Sequence, residues 1–589
     1  MLHNICGIDH RRRAVVYFRA SGPKGTPINH HPRSLRTLVL GRILALVSVL
    51  AFMAGVAPAG PAPAKTLTVL HTSDLHGHVD PRDEAADRDY GEGVARIATA
   101  VRAVRAEAAS VLLLDSGDTI QGTPMQAIAF GKSRSAEDPT IRAMNALRYD
   151  AMAVGNHEFD FGLDRLQASR RQARFPFLSA NIVGADGNPA FEPYAIQTIA
   201  GIRVGILGLT TKNVPGWEPP RNISGLRFLD TVDTARRYVP ILRGKELCDV
   251  VLVITHQGFE RDPATGVEHG TGDENQAYAI ATQVPGIDLL LTGHTHTVIE
   301  PRKLGLTWIS QPGRFGNTLT RFDLRLARKN GRWSVESVDG RNLPMKDVAP
   351  DPEIVRLAAP EHDAAMKALA ETVATLASPA SVRDARTADN GVLDWLHDVQ
   401  LREGKADLSF ASLLPGSLPV WAAGPLAMRQ VWAFYPYENS LVTVRATGAQ
   451  VRAALESAGR CISGIGMQDG QPVWKRNPAV WGYNCDTMEG AEYAIDPTLP
   501  EGKRLLYLRR GGKPVSDDDV FTVAINSYRA SGGGGYPMWK GCPHVSESTR
   551  SLRDLLLDDA RRRGTLDLRA DENWFLAPSL PEVRFGDSN

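Results

Sequence analysis

At 589 residues the chain exceeds a single ordinary core, which implies two large domains. Its hydrophobic content of 43% and charged content of 23% are normal for a soluble globular protein. With 67 basic against 66 acidic residues there is no global field to gather a nucleic-acid polymer or an anionic membrane, so a phosphate-bearing substrate must be attracted by local groups.

The first 64 residues read as leader and signal peptide. Arg11, Arg12, Arg13, Arg33, Arg36 and Arg42 precede an apolar run from Ile43 to Ala57, and Ala-Pro-Ala follows at 57–59 and 62–64. Basic region, apolar region and small-residue cleavage site in that order predict secretion, to the periplasm or beyond the cell. The apolar run is short for a membrane span, so no stable membrane anchor is expected. Downstream, Cys248 is expected to be a buried free thiol. Two of Cys461, Cys485 and Cys542 could pair in an oxidising compartment, and the sequence does not choose which.

Residues 65–346 alternate short apolar strands with amphipathic segments. Strands are predicted at Leu67–His71, Val111–Asp115, Ala151–Val154, Val204–Leu209, Val250–Thr255 and Ile287–Thr292, and a helix at Val94–Ala108. Strands rich in Val, Ile and Leu with helices between them read as an α/β domain with a largely buried sheet. Residues 347–380 are predicted as a helical linker, Ala-, Glu- and Lys-rich from Val348 to Leu376 and bounded by Pro350, Pro352 and Pro379. Residues 381–589 mix helix (Val451–Ala458) and strand (Val442–Ala446, Val520–Ile525) with Gly- and Pro-rich loops, as expected of a separate α+β domain.

Polar motifs stand just beyond five of the predicted strands. They are Asp74-Leu-His76 with His71 and His78 nearby, Gly117-Asp118, Gly155-Asn156-His157-Glu158-Phe159-Asp160, Thr255-His256 and Gly293-His294-Thr-His296. Ligand sites of open α/β sheets form at that edge. Each motif alone is ordinary turn or cap chemistry; five in one place are a metal site. Carboxylate, amide and imidazole donors suit a borderline divalent ion such as zinc, manganese, iron or cobalt. Two ions about 3.5–4 Å apart need an anionic bridge, and Asp118 is the natural candidate.

The motif order resembles that of the calcineurin-like metallophosphoesterases. Leu67–Val79 and Tyr149–Asp160 resemble the two signature segments of the 5′-nucleotidase family without visible departure, and the likeness runs through Gly117–Pro124, Asn275–Val298 and the C-terminal part. It implies a metallophosphoesterase sandwich followed by an α+β 5′-nucleotidase C-terminal domain. It further implies one metal on Asp74, His76, Asp118 and His296, and another on Asp118, Asn156, His256 and His294. His157 would face the substrate, oriented by Asp160; His71, His78 and Glu158 would be supporting residues.

The same resemblance places a nucleotide base between two rings of the second domain, Tyr437 and Tyr528, with Gly532 and Gly533 beside the latter. Aromatic faces accept any base. The 5′-nucleotidases carry an Asn-Gly-Gly-Gly-Ile-Arg type loop where this chain has Phe410–Leu418, and Gly-Gly-Asp where it has Gly532–Gly535. The stretches Tyr483–Gly490, Glu492–Asp496, Ser527–Ala530 and Asp571–Pro578 resemble the 2′,3′-cyclic-nucleotide 2′-phosphodiesterase/3′-nucleotidase branch. The expected substrates are therefore cyclic and 3′-nucleotides, with a 5′-nucleotidase or nucleotide-sugar hydrolase as the first alternative and a non-catalytic nucleotide-binding protein as the second, and the expected state is a monomer.

Overall fold

The computed structural model describes residues 64–578 apart from 86, 133–135, 269–273, 416–418 and 469. The leader and signal peptide lie outside the described residues.

The N-terminal part carries two six-stranded sheets. The first takes β1 (Lys65–Thr72), β2 (Val111–Asp115), β3 (Ala151–Ala153) and β4 (Phe177–Leu178). The second takes β5 (Tyr194–Ile199), β6 (Ile202–Thr210), β7 (Val250–His256), β8 (Leu289–Thr292), β9 (Val298–Leu304) and β10 (Thr307–Pro312). β11 (Thr318–Lys329) and β12 (Arg332–Pro344) return to the first, giving orders β12-β11-β1-β2-β3-β4 and β9-β10-β8-β7-β6-β5. The six strands read from sequence are all present. They divide between the two sheets of the expected sandwich; the half-exposed antiparallel strands β5, β9 and β12 go unread in the sequence because they lack the apolar runs that betray a buried strand.

Side-chain alternation explains those runs. Leu67 and Val69 of β1, Leu252 and Ile254 of β7 and Leu289 and Leu291 of β8 meet in one core between the sheets. Leu70 of β1 instead faces helix α1 (Val94–Glu107), and Val251, Val253 and Leu290 face the helices of the opposite side.

The predicted linker helix is shorter than expected. Helix α2 spans Pro352–Leu369, capped by the Asp351 side chain on the amides of Glu353 and Ile354. Its Ile354, Ala358 and Ala365 belong to the N-terminal core. Residues Thr372–Leu376 form a strand paired with Gly424–Ala427, where β-branched Thr372, Val373 and Thr375 favour extended backbone over the Ala-rich helix before them.

Beyond it, helix α3 (Gly391–Gly404) packs beside a five-stranded sheet. That sheet comprises β13 (Leu408–Ser412), β14 (Ser440–Thr447), β15 (Asp486–Glu489), β16 (Val520–Asn526) and β17 (His544–Ser551), in the order β15-β13-β16-β14-β17. A last short strand, β18, spans Trp574–Leu576. Cys461 and Cys485 form a disulfide, while Cys248 and Cys542 are buried free thiols. No described helix is long and apolar enough to cross a membrane.

Candidate metal centre

β1, β2 and β3 run parallel in one sheet, and β7 and β8 in the other. Their C-terminal ends reach one rim, where the loops are held in unusual backbone. Asp74, His76, Asp118, His294 and His296 all have positive φ, between 46° and 74°. Each such non-glycine residue costs on the order of 1 kcal/mol or more and persists only where its surroundings over-determine it. Here they do. Asp74 N bonds Gly117 O at 2.9 Å, His76 N bonds Asp118 O at 2.9 Å, and His294 N donates to the Asp74 carboxylate at 3.0 Å.

Two groups of donors result. Ligand atoms of Asp74, His76 and His296 lie within 4.8 Å of one another, as do those of Asp118, His256 and His294. Asp118 reaches toward both: its Oδ2 is 2.9 Å from His256 Nε2 and 3.8 Å from His76 Nε2. Asn156 Oδ1 stands 3.1 Å from His256 Nε2.

Ring orientation tests whether this set suits cations. His76 Nδ1 faces Gln121 O at 2.9 Å and His256 Nδ1 faces Ser116 O at 2.8 Å. A carbonyl oxygen only accepts, so each Nδ1 carries a proton, and each ring, when neutral, turns an Nε2 lone pair inward. The His76 Nε2 lone pair points at His296 Nε2 only 3.0 Å away, and that of His256 at two side-chain oxygens. Such facing atoms are held either by a proton on one of them or by a metal cation between them, and oxygen and imidazole together are the ligand set of a borderline divalent ion. The donors therefore fit divalent metals.

Glu158 holds the scaffold of this rim. Fully buried, its carboxylate accepts from the amides of Asp118 (2.9 Å), Thr119 (2.6 Å), Ile120 (3.2 Å) and Gly155 (2.6 Å). A Cβ on Gly155 would lie 2.2 Å from Asp118 Oδ1, so only glycine lets these two loops close. His71 is buried between the hydroxyls of Ser116 (2.9 Å) and Ser310 (3.3 Å), and His78 stacks on Phe315.

His157 lies in neither donor group. Its Nδ1 faces both oxygens of Asp160, at 3.0 and 3.2 Å, which leaves Nε2 free. Burial opposes charge on this ring, but Asp160 and Asp118 outweigh it and raise its pKa to about 10. Behind Asp160 stands Glu218, a residue no sequence motif marked. Burial, with the Asp160 charge, holds its carboxyl far above the usual range, so it keeps a proton and hydrogen-bonds to Asp160.

Across a cleft of ≈ 3150 Å³ stands the wall contributed by the second half of the chain, including Tyr437, Tyr528, Gly532 and Gly533. Tyr437 and Tyr528 are both half-buried. To these the structure adds Tyr483, which also lines the cleft: burial raises its pKa, and the nearby Tyr528, Tyr437 and Glu274 raise it further. Trp481 stacks on Tyr483 with ring centroids 6.1 Å apart. Glu274 belongs to the floor, its Oε1 2.9 Å from His294 Nε2.

The wall is set by a buried ion pair. Arg529 Nε and Nη2 each lie 2.8 Å from one oxygen of Asp486, while Nη2 also donates to Tyr483 O (2.7 Å) and Nη1 to Gly533 O (3.2 Å). Gly532, at φ 90°, turns the chain so that Gly533 lies under the Tyr528 ring, where a Cβ would come within 2.5 Å of it. The Arg529–Asp486 pairing spans two stretches that carry the family likeness, but nothing in either announces the other.

A two-sheet sandwich with oxygen and imidazole donors gathered on one rim defines a metallophosphoesterase. Comparison with known proteins refines that class. Residues 67–298 match the calcineurin-like phosphoesterase family and residues 368–541 the 5′-nucleotidase C-terminal domain. The chain belongs to the 5′-nucleotidase family of metallophosphoesterases and is a metal-dependent phosphoric ester hydrolase.

Among its relatives is the 2′,3′-cyclic-nucleotide 2′-phosphodiesterase/3′-nucleotidase of Salmonella typhimurium, 28% identical over 89% of this chain and 91% of that protein. The trifunctional nucleotide phosphoesterase YfkN of Bacillus subtilis is 27% identical over 93% of this chain, which spans only 41% of YfkN. A Staphylococcus aureus protein described as a 5′-nucleotidase has a similar crystal structure, with TM-score 0.77 and 25% identity over 87% of this chain and all of that one.

Proposed function

We propose that this chain is an exported hydrolase that converts 2′,3′-cyclic nucleotides to 3′-nucleotides and these to nucleoside and phosphate. The observation that carries the reading is the cleft itself, with two donor groups and His157 on its floor and Tyr437, Tyr483 and Tyr528 on its wall. Its volume exceeds the roughly 300–1,000 Å³ of an ordinary small-molecule pocket. A mononucleotide clasped by its base has room to present first one ester bond and then another. The cystine Cys461–Cys485 supports an oxidising compartment, as the signal-peptide reading requires.

Asp74, His76, Asp118 and His296 would hold one divalent ion, and Asp118, Asn156, His256 and His294 the second. Such ions lower the pKa of an attacking water and neutralise charge developing on the phosphoryl oxygens. The protein's own groups do the rest. His157, its Nδ1 fixed by Asp160, offers Nε2–H to the leaving ribose oxygen. Glu218 keeps Asp160 in place. The tyrosines hold the base by its faces and so admit any base.

Preference for the cyclic and 3′ esters rests on one loop of the wall, although Arg383, Arg476 and Arg550 line the cleft elsewhere. Leu413 and Leu414 line the cleft where the other branch has its arginine loop, and the neighbouring Arg386 donates to the carbonyls of Gly482 and Leu413, each at 3.0 Å. A guanidinium so engaged offers little to a 5′-phosphate. A substrate panel decides the matter. Purified protein with added manganese should release phosphate from 2′,3′-cyclic AMP (with a phosphomonoesterase present) and 3′-AMP faster than from 5′-AMP or a nucleotide sugar. Faster cleavage of 5′-AMP would overturn the reading in favour of a 5′-nucleotidase.

A further inference from the structure

Away from the cleft, the second half of the chain gathers another set of oxygens. Asp389 precedes α3, Asp394 lies in its first turn, Glu489 ends β15, and Asp571 and Asn573 lie just before β18. Oxygens of Asp389, Asp394 and Asp571 come within 4.8 Å of one another. Backbone amides answer part of this charge: Asn390 N donates to Asp389 Oδ1 at 2.8 Å, and Asn573 N to Asp389 Oδ2 at 3.0 Å and Asp571 Oδ1 at 3.3 Å. The charges that bear most strongly on the cluster are its own. Burial and then neighbouring carboxylates raise Asp394 to about 9 and Glu489 to about 8.

A second observation comes from outside the aspartate triad. Glu489, only 7% exposed, has an Oε1 with no hydrogen-bond partner. Asp394 Oδ2 and Asn573 Oδ1 are likewise buried and unpartnered. The Asn573 amide commits Nδ2 to Glu489 Oε2, which leaves its Oδ1 as a lone acceptor. A buried oxygen without a donor is costly, more so when charged, and three in one cluster of carboxylates ask for a cationic partner.

We propose that Asp389, Asp394, Glu489, Asp571 and Asn573 form a third cation site, distinct from the hydrolytic centre, that takes calcium. The donors are all hard oxygens, carboxylate and amide, with no imidazole or thiolate to favour zinc. Five side chains also suit calcium's six to eight oxygen ligands better than magnesium's retained waters. The ion would tie the start of α3, the end of β15 and the approach to β18 into one unit. β15 begins at Asp486, the partner of Arg529, so the same ion stiffens the wall that bears Tyr483 and Tyr528.

Terbium, which replaces calcium at oxygen sites and is sensitised by a nearby indole, should report this site through Trp574. The probe is the full chain with manganese held constant, so that the hydrolytic centre is saturated throughout. Saturable terbium emission should be displaced by calcium with an apparent Kd of about 10⁻⁴–10⁻³ M, and far less by magnesium. Calcium should raise Tm in the unsubstituted chain and lose that effect in Asp394→Asn and in Glu489→Gln, the milder change should the first misfold. The rival is a cluster satisfied by a shared proton. In that case Asp394→Asn raises Tm equally with and without calcium, terbium emission is the same in all three proteins, and the calcium site is refuted. A calcium-independent Tm in the unsubstituted chain refutes it without any variant.

Discussion

The floor and the wall of the cleft are built by opposite means. On the floor the backbone places the functional groups: five donors sit at positive φ in loops that hydrogen-bond one another. On the wall the positive-φ positions are glycines, Gly532, Gly534 and Gly535, and side chains do the placing, through Arg529–Asp486, the Cys461–Cys485 cystine and a glycine pressed under an aromatic ring. Metal binding needs particular atoms at fixed separations, so the floor tolerates little. The base stacking proposed for the wall needs only a flat face at a suitable height, so that side of the cleft can be rebuilt without touching the reaction.

The largest expected effect is on the floor, at the residue that reaches both donor groups. Asp118→Asn should lower kcat by on the order of 10³-fold or more, against a simple aryl phosphodiester as well as a nucleotide. Metal content by elemental analysis should fall with it. Activity within tenfold of the parent would mean that Asp118 bridges nothing, and the division into floor and wall would lose its basis.

Next is His157, which separates chemistry from metal binding. His157→Ala should cost about 10²–10⁴-fold in kcat with metal content unchanged, because its ring belongs to neither donor group. Asp160→Asn should cost about 10–100-fold and shift the pH profile, since the Nδ1 partner sets both the tautomer and the basicity of the ring. If His157→Ala instead empties the site of metal, the ring is a ligand and its assigned part in proton transfer is wrong.

This contrast also explains what the sequence made legible. Asp74-x-His76, Gly155-Asn156-His157 and His294-x-His296 are compact, because one strand end delivers each group and the register of the parallel sheets aligns them. Gly155 belongs to the motif for a reason visible only in three dimensions, its contact with Asp118. Glu274 and Glu218 escaped because they reach the site from loops with no repeated pattern, and a lone glutamate carries no local signal. Tyr483 escaped for another reason: its neighbours Tyr437 and Tyr528 are 46 and 45 residues away, brought near by sheet order β15-β13-β16-β14. The half-exposed strands β5, β9 and β12 were missed because a solvated face dilutes the apolar pattern.

The scaffold of the wall carries its own acid sensitivity. His397 of α3 is buried between Ser409 Oγ (2.8 Å) and Thr487 Oγ1 (2.9 Å), tying the helix to β13 and β15. Burial lowers its pKa from 6.5 to about 3. The folded state therefore binds fewer protons than the unfolded one below pH 6.5. The stability that this ring contributes is complete above pH 6.5 and declines as pH falls toward 3. One pKa unit is about 1.4 kcal/mol, so the loss between pH 7 and pH 4 is about 3 kcal/mol. His397→Gln keeps one donor and one acceptor but no titration, and urea melts across that range should show a flatter acid limb than the parent. Equal slopes would place the acid-labile group elsewhere, most directly among the floor's carboxylates.

The smallest effect is the one that isolates recognition. Stacking contributes roughly 1–3 kcal/mol per base, so Tyr528→Ala should raise KM for nucleotides about 5- to 150-fold. It should leave kcat nearly unchanged and leave KM for p-nitrophenyl phosphate alone, because that substrate has no base to hold. Gly533→Ala should act in the same sense without removing any aromatic atom, since its Cβ would displace the Tyr528 ring it would otherwise approach to 2.5 Å. Tyr437→Ala supplies the other half of the test. Equal losses for the two tyrosines mean that a base lies between them. A larger loss on changing Tyr483 than Tyr437 would mean that the base stacks on the Trp481–Tyr483 pair instead, moving the nucleoside along the wall and changing which ester bond meets His157.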